Sequence, residues 1–537
     1  MRRVCMTAAL GVVFALAAPP SPAHAYEFWL RGQTIGQSYQ LRNYRLVGPD
    51  LFLGRRRYTQ TLALRIWDIG DLSANRRRAR MPDRGARVSW HSYLRIDHDF
   101  GDYASGRIVQ GSARRDALDV IPELGESVAS LDVVYGYVEV DGIADDRATV
   151  RVGRILADEG WGPTAIDGGS LRVELPQPAA VTVSAGLRVR ASSPFGAAAY
   201  ELDGTSGAAC TEYVEAALPG TGAWKLVDRN RAIKNTKLGS DFEYCPQRLV
   251  RQPTVGATIA TSRVRGFAAE LGYRRTWSDT VGLIGPVDRL NFPDLGLYPN
   301  EVGQAPATGV NQEHLYARVS GDLTRRGVGI QPYAATRVSL LHAAVDRADA
   351  GVRFARGKHA LEPALSYFLP TFDGDSIFNI FSIAPTADAR LGYRYEGPVR
   401  ASAGAWLRRY ADTGDGSNLA GGIELGVERA LGRRSRGRLD ALWDAGYGGR
   451  RVGGTGEAAW QPSDTISLRG RVIVLGVAPD DLTRPRKYVT SSLVTSSTFR
   501  VADTVAIHAI AEADTDALHG FQTRVIAVLD LAFMPEP

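Results

Sequence analysis

The residues of this chain with chemistry to offer are mostly arginines and carboxylates, spaced by even numbers of residues in long stretches. Arg390, Arg394, Arg400 and Arg408 form one series, and Arg438, Asp440 and Asp444 another. Arg469 with Arg471 and Arg524 with Asp530 keep the same spacing, as do Glu424 and Glu428. Arg274 and Arg318 lie upstream, and Glu270, Asp388, Glu396, Glu512 and Asp514 add further acid. Charges so placed have two uses: rings that select a solute by sign, or cross-strand ion pairs that stiffen a wall. A second group lies between residues 191 and 253. It holds Cys210 and Cys245 and a basic cluster of Lys225, Arg229, Arg231, Lys234 and Lys237. Catalytic spacing is missing. Beyond residue 25 the seven histidines (His91, His98, His314, His342, His359, His508 and His519) are scattered, no Gly-x-Ser-x-Gly stands in order with Asp and His, and there is no His-Glu-x-x-His. The expectation is a protein that is not an enzyme and has no resident cofactor or metal. Acid-rich tips, Asp373-Gly374-Asp375, Asp412 with Asp415, Asp480-Asp481 and Asp514 with Asp516, are expected to be solvated turns rather than calcium sites.

The elements that carry these charges alternate with period two. In the last segment Phe521, Thr523, Val525, Ala527, Leu529, Leu531 and Phe533 share one face, while Gln522, Arg524, Ile526, Val528, Asp530 and Ala532 share the other. The pattern returns around Val88–Phe100, Ala387–Glu396, Arg438–Tyr447 and Ile466–Val474. These strands run to about 10–13 residues, against a usual 5–6. A soluble sandwich would turn the apolar face inward, and a membrane barrel would turn it to lipid. Length, charges of both signs on the polar face, and aromatics near strand ends (Tyr393, Tyr395, Trp443, Tyr447, Phe521, Phe533) favour the barrel.

Composition agrees. The chain has 537 residues, 44% hydrophobic and 23% charged, too apolar for a disordered chain. Lys+Arg 64 against Asp+Glu 58 gives +6, but only five of the bases are lysine. Such a balance reads as mixed surface charge, and nucleic acid is not expected as a partner. Arg2 and Arg3, the apolar run Leu10–Ala18 and the triplet Ala23-His24-Ala25 form a secretory signal peptide over residues 1–25. Nothing after it approaches 18 continuous apolar residues, so no transmembrane helix is expected. Cys210 and Cys245 would then meet an oxidising compartment and form a disulfide.

With its signal peptide and amphipathic last strand, the chain resembles bacterial outer-membrane β-barrel proteins of the porin type, across nearly all of residues 26–537. The stretch Arg151-Val152-Gly153-Arg154, followed by Asp167-Gly168-Gly169, is similar to porins and to polysaccharide-export (alginate-export) barrels. Those proteins usually end on the aromatic residue, whereas Met534-Pro535-Glu536-Pro537 follow Phe533 here.

The resulting expectation is all-β: one closed antiparallel transmembrane barrel with no plug domain. Strands are expected near 27–45, 58–69, 88–100, 129–140, 147–156, 166–175, 179–191, 254–262, 266–276, 312–322 and 327–340. The rest fall near 344–356, 359–369, 382–396, 399–411, 418–431, 437–448, 452–461, 464–476, 487–500, 504–514 and 520–533. That makes 22, with 18 as the alternative if some merge. Short connections alternate with long ones, which puts the termini at the periplasmic end and the 191–253 loop outside the cell. The function expected is an outer-membrane channel for passive or substrate-specific passage of solutes, or export of a polysaccharide. The alternative is a non-conducting structural or assembly barrel. Expected partners are outer-membrane lipid, lipopolysaccharide and the barrel-assembly machinery. The 191–253 loop, through its basic cluster, is the expected constriction.

Overall fold

The computed structural model describes residues 27–43, 51–67, 69, 86–99, 103–104, 130–159, 162–189, 213–217, 224–228, 252–278, 309–373, 384–411, 418–480, 487–516 and 520–533. Residues 1–26, Cys210, Cys245 and four of the five basic residues of the expected constriction lie outside this set; of Lys225 only the backbone is described.

Alternation becomes strand throughout. In chain order the wall is β1 (Glu27–Asn43), β2 (Leu51–Trp67), β3 (Arg87–Asp99), β4 (Ser130–Gly142), β5 (Ala148–Glu159), β6 (Gly162–Glu174), β7 (Ala179–Arg188) and β8 (Pro253–Thr261). It continues with β9 (Phe267–Trp277), β10 (Val310–Gly321), β11 (Val328–Ser339), β12 (Ala344–Arg356), β13 (His359–Phe368), β14 (Thr386–Glu396) and β15 (Val399–Tyr410). The last are β16 (Leu419–Gly432), β17 (Ser435–Gly446), β18 (Gly449–Trp460), β19 (Ile466–Ala478), β20 (Tyr488–Ala502), β21 (Val505–Asp516) and β22 (Gly520–Phe533). Each pairs antiparallel with the next, including β7 with β8 across the longest connection. β22 closes on β1, from Leu30 opposite Phe533 to Tyr39 opposite Arg524. The wall therefore has 22 strands and no free edge, which removes the liability of unpaired backbone in lipid.

The expected strands are all present, with some ends shifted. β2 starts at Leu51 rather than 58, β6 at Gly162 rather than 166, and β14 at Thr386 rather than 382. The β2 extension continues the pairing with β1, Tyr39 opposite Arg55 and Asn43 opposite Leu51. An arginine run hides that pairing, because ladder hydrogen bonds do not depend on side-chain polarity. Short turns join strands at the end where both termini lie. One of them, Arg326-Gly327, has positive φ at both residues (52° and 74°), the two-residue hairpin whose twist matches its strands. The connection over 68–86 is the exception at that end, since it is long. Within the 191–253 segment a small hairpin pairs Tyr213–Ala217 with Trp224–Asp228.

The apolar belt faces outward. Leu439 is 70% exposed and Leu425 54%, and both sit on the parity shared by Val427, Val472 and Leu493 across successive strands. A wall that exposes so many large apolar side chains on one parity is built for hydrocarbon, not water. No described helix is long and apolar enough to cross a membrane, so the crossing is made by strands. This is a membrane-spanning barrel.

Candidate functional site

A cavity of about 740 Å³ identifies the inner face of the wall. It lies against β10 to β14 and is lined by Tyr316, Arg318, Tyr333, Arg337, Arg347, Asp349, Arg353, Glu362, Arg390 and Arg394. These residues share the parity opposite the apolar belt, and only the concave side of a closed wall can enclose such a space. Followed around the ladder, the fifteen charged residues expected to face the lumen all lie on that inner parity. The alternation explains why: the side that must meet lipid is fixed by Leu, Val and Phe, and every second residue is then free to be charged.

The inner wall divides into two sectors. From β14 to β22 the charges alternate in register. Glu396 faces Arg400, Arg400 faces Glu428, Glu428 faces Arg438, Arg438 faces Glu457, and Glu457 faces Arg471. After Val494 the series ends on Glu512 and Arg524, beside Tyr39. Ion pairs accompany it: Arg400–Glu428 at 3.3 Å, Arg469–Glu457 at 3.4 Å and Arg524–Glu512 at 3.5 Å. Other pairs brace the same face, Arg438–Asp440 at 2.8 Å, Arg451–Asp444 at 2.7 Å and Arg31–Asp530 at 2.6 Å. Arg471 and Glu424 make no ion pair among the described residues. This sector is close to charge-balanced.

Between β10 and β14 the pairing is less even. Six arginines line the cavity against two carboxylates, Asp349 and Glu362, while Asp346, Asp388 and Glu396 lie elsewhere on the same inner face. Three of the arginines are occupied: Arg347 by Asp349 at 2.7 Å, Arg390 by Asp388 at 3.1 Å and Arg337 by Asp346 at 2.9 Å. Asp388 also holds Arg408, with both oxygens engaged. Arg318, Arg353 and Arg394 have no carboxylate within salt-bridge distance among the described residues. The Tyr333 hydroxyl donates to Glu362 at 3.4 Å, and Tyr316 stands beside Arg318.

Near the end opposite the termini lies a cluster that alternation does not signal. Asp346 is fully buried at a bulge between β11 and β12. It accepts from Arg337 Nε at 2.9 Å and Thr371 Oγ1 at 2.9 Å, and His314 Nε2 is 3.5 Å away. Thr371 belongs to the segment after β13, which folds back along the inner wall. Within it, the Phe372 carbonyl meets His342 Nε2 at 3.0 Å. Asp373 pairs with Arg188 of β7 at 2.6 Å and also accepts from Gln312. Arg274, expected as a lumen charge, is buried at the edge of this cluster and donates to Thr164. The tip expected at Asp373 is thus tucked in and paired rather than solvated. The bulge gives Asp346 its place, but the Arg188–Asp373 contact joins residues far apart in sequence and has no local signature.

No family model matches the chain, and no curated protein matches it. Among solved structures it is similar to Pseudomonas aeruginosa OccK5 (OpdH), with 7% identity, 95% of this chain and 99% of that chain covered, and a TM-score of 0.38. For Acinetobacter baumannii OccAB4 the values are 6%, 96%, 100% and 0.37. For a ferric enterobactin receptor (PfeA) mutant of Pseudomonas aeruginosa they are 10%, 94%, 80% and 0.42.

Proposed function

We propose that the protein is an outer-membrane channel that favours small anionic solutes, which meet the inner wall between β10 and β14. The single observation behind this is the lining of that cavity: six arginines against two carboxylates, with three guanidiniums that have no carboxylate partner among the described residues. Guanidinium groups offer paired donors to a carboxylate or phosphate, and Tyr316 and Tyr333 offer ring faces to the rest of the solute. The volume falls within the range of small-molecule sites, about 300–1,000 Å³. A bounded recess of that size suits a small solute better than a polymer in transit. A 22-strand barrel is also too wide for its own wall side chains to fill.

The test is conductance in planar bilayers across a salt gradient. Discrete steps with a reversal potential on the anion side are expected. Replacing Arg318, Arg353 and Arg394 together by alanine should move that potential toward neutrality, while the same change at Arg400, Arg469 and Arg524, in the balanced sector, should move it less. An absence of steps in every form would favour a non-conducting structural barrel.

A further inference from the structure

Two charged pairs among the described residues stand on the outward side of the wall: Arg275–Glu313 at 3.8 Å, beside Trp277 toward the upper ends of β9 and β10, and a tighter one lower down. Arg154 of β5 and Asp167 of β6 face each other in register. Arg154 Nε meets Asp167 Oδ1 at 2.6 Å and Nη2 meets Oδ2 at 2.7 Å, a two-pronged contact, and Nη1 also donates to the Val133 carbonyl at 2.9 Å. Their parity is the outward one. On β5 it is shared by Val152, 59% exposed, and on β6 by Leu171; the pair's row continues to Leu187 on β7.

The pair is also deep. Arg154 lies about six residues above the start of β5. At about 3.3 Å per residue, on a strand tilted by about 40°, that is about 15 Å from the periplasmic end. The apolar band of such a wall is about 25 Å tall, so the pair sits near its middle. Acyl chains there offer neither donor nor acceptor, and lipid phosphates lie at the surface. The surroundings have low relief: Gly136 is opposite Arg154, and Gly169 and Ala185 continue the row of Val152.

We infer that this patch is an interface with a second copy of the same chain, related by a two-fold axis along the membrane normal. The argument is charge complementarity. Two barrels in one membrane have the same orientation, so a two-fold axis between their walls reverses left and right. Arg154 then faces Asp167 of the partner subunit, and Asp167 faces Arg154 of the partner subunit, at nearly one depth. The contact is self-complementary, as a two-fold interface must be, and closes four charges into an alternating ring out of the lipid. The glycines let the walls approach closely enough for it.

A photo-reactive residue in place of Val152, with the pair intact, reads the occupant directly in native outer membranes. A covalent dimer of the chain is expected, and the same probe at Leu439, on the far wall, should give none. An adduct with the mass of lipid A or a phospholipid at position 152, a monomer carrying no protein adduct, or equal dimer yields at both positions would overturn the inference. A second measurement guards against misfolding. Arg154→Leu combined with Asp167→Leu should leave the heat-modifiable gel shift of a closed barrel while lowering the dimer yield at least tenfold. Unchanged dimer in the closed double variant would show that the charge ring does not hold the copies together.

Discussion

At the scale of single residues, parity assigns each side chain its solvent, and the assignment is testable on neighbours. Val525 faces outward and is 53% exposed, while Arg524 faces inward with Glu512 at 3.5 Å. Val525→Arg places a charge against hydrocarbon near mid-strand and should cost about 2–4 kcal/mol. Arg524→Leu removes one exposed pair inside the barrel and should cost about 1 kcal/mol or less. Denaturant titration of the refolded protein, read by tryptophan fluorescence, measures both, and equal losses would contradict the parity. Asp346 is a different case, because burial makes its partners depend on it. Asp346→Ala leaves Arg337 and Thr371 without their acceptor and should cost about 3 kcal/mol or more, as expected for a broken buried pair. The same titration should show a milder loss for Asp346→Asn, which keeps an acceptor oxygen.

At the scale of elements, the fold was legible because a strand in a barrel wall has one physical constraint that shows in every second letter. β22 could be read directly from Phe521, Val525, Leu529 and Phe533 on one face and Gln522, Arg524 and Asp530 on the other. The same reading put Arg318, Arg390 and Arg394 on the inner side, where the cavity lies. It failed where backbone pairing outruns the pattern, as at Leu51–Arg57 of β2, and where a segment leaves the wall. The stretch Leu369–Asp373 looks like any polar loop, and its inward course is set by partners in β7, β10 and β12 that only the closed ring brings near. Two of those contacts, Asp373 with Arg188 and Thr371 with Asp346, are tertiary and can be cut separately. Arg188→Gln should loosen the segment without touching the Asp346 cluster. Limited proteolysis of intact cells should then cleave near residues 369–373 faster in the variant than in the parent. Equal cleavage would mean that the ion pair does not hold the segment.

At the scale of the whole molecule, the inner wall is near-neutral from β14 to β22, while the cavity between β10 and β14 carries arginines without a carboxylate partner among the described residues, with the Leu369–Asp373 segment beside it at the end opposite the termini. The 191–253 segment is 63 residues long, yet it leaves the wall at β7 and returns at β8, which pair directly with Leu187 opposite Pro253. A chain of that length, leaving and re-entering side by side, has ample reach to cross a barrel mouth. Cys210 and Cys245, once oxidised, would shorten its excursions, and Lys225, Arg229, Arg231, Lys234 and Lys237 would bring positive charge to any constriction it forms. Two outcomes follow if the segment is a basic constriction. Membrane-impermeant reductant applied to whole cells should expose two alkylatable thiols that the untreated protein lacks. Deleting residues 214–241, between the cysteines, should raise single-channel conductance and weaken anion preference, most visibly at low salt, since screening shortens the reach of these charges to about 10 Å at 0.1 M. If instead conductance and selectivity survive the deletion unchanged, the segment is a surface cap, and the anion preference belongs to the arginines of β10 to β14 alone.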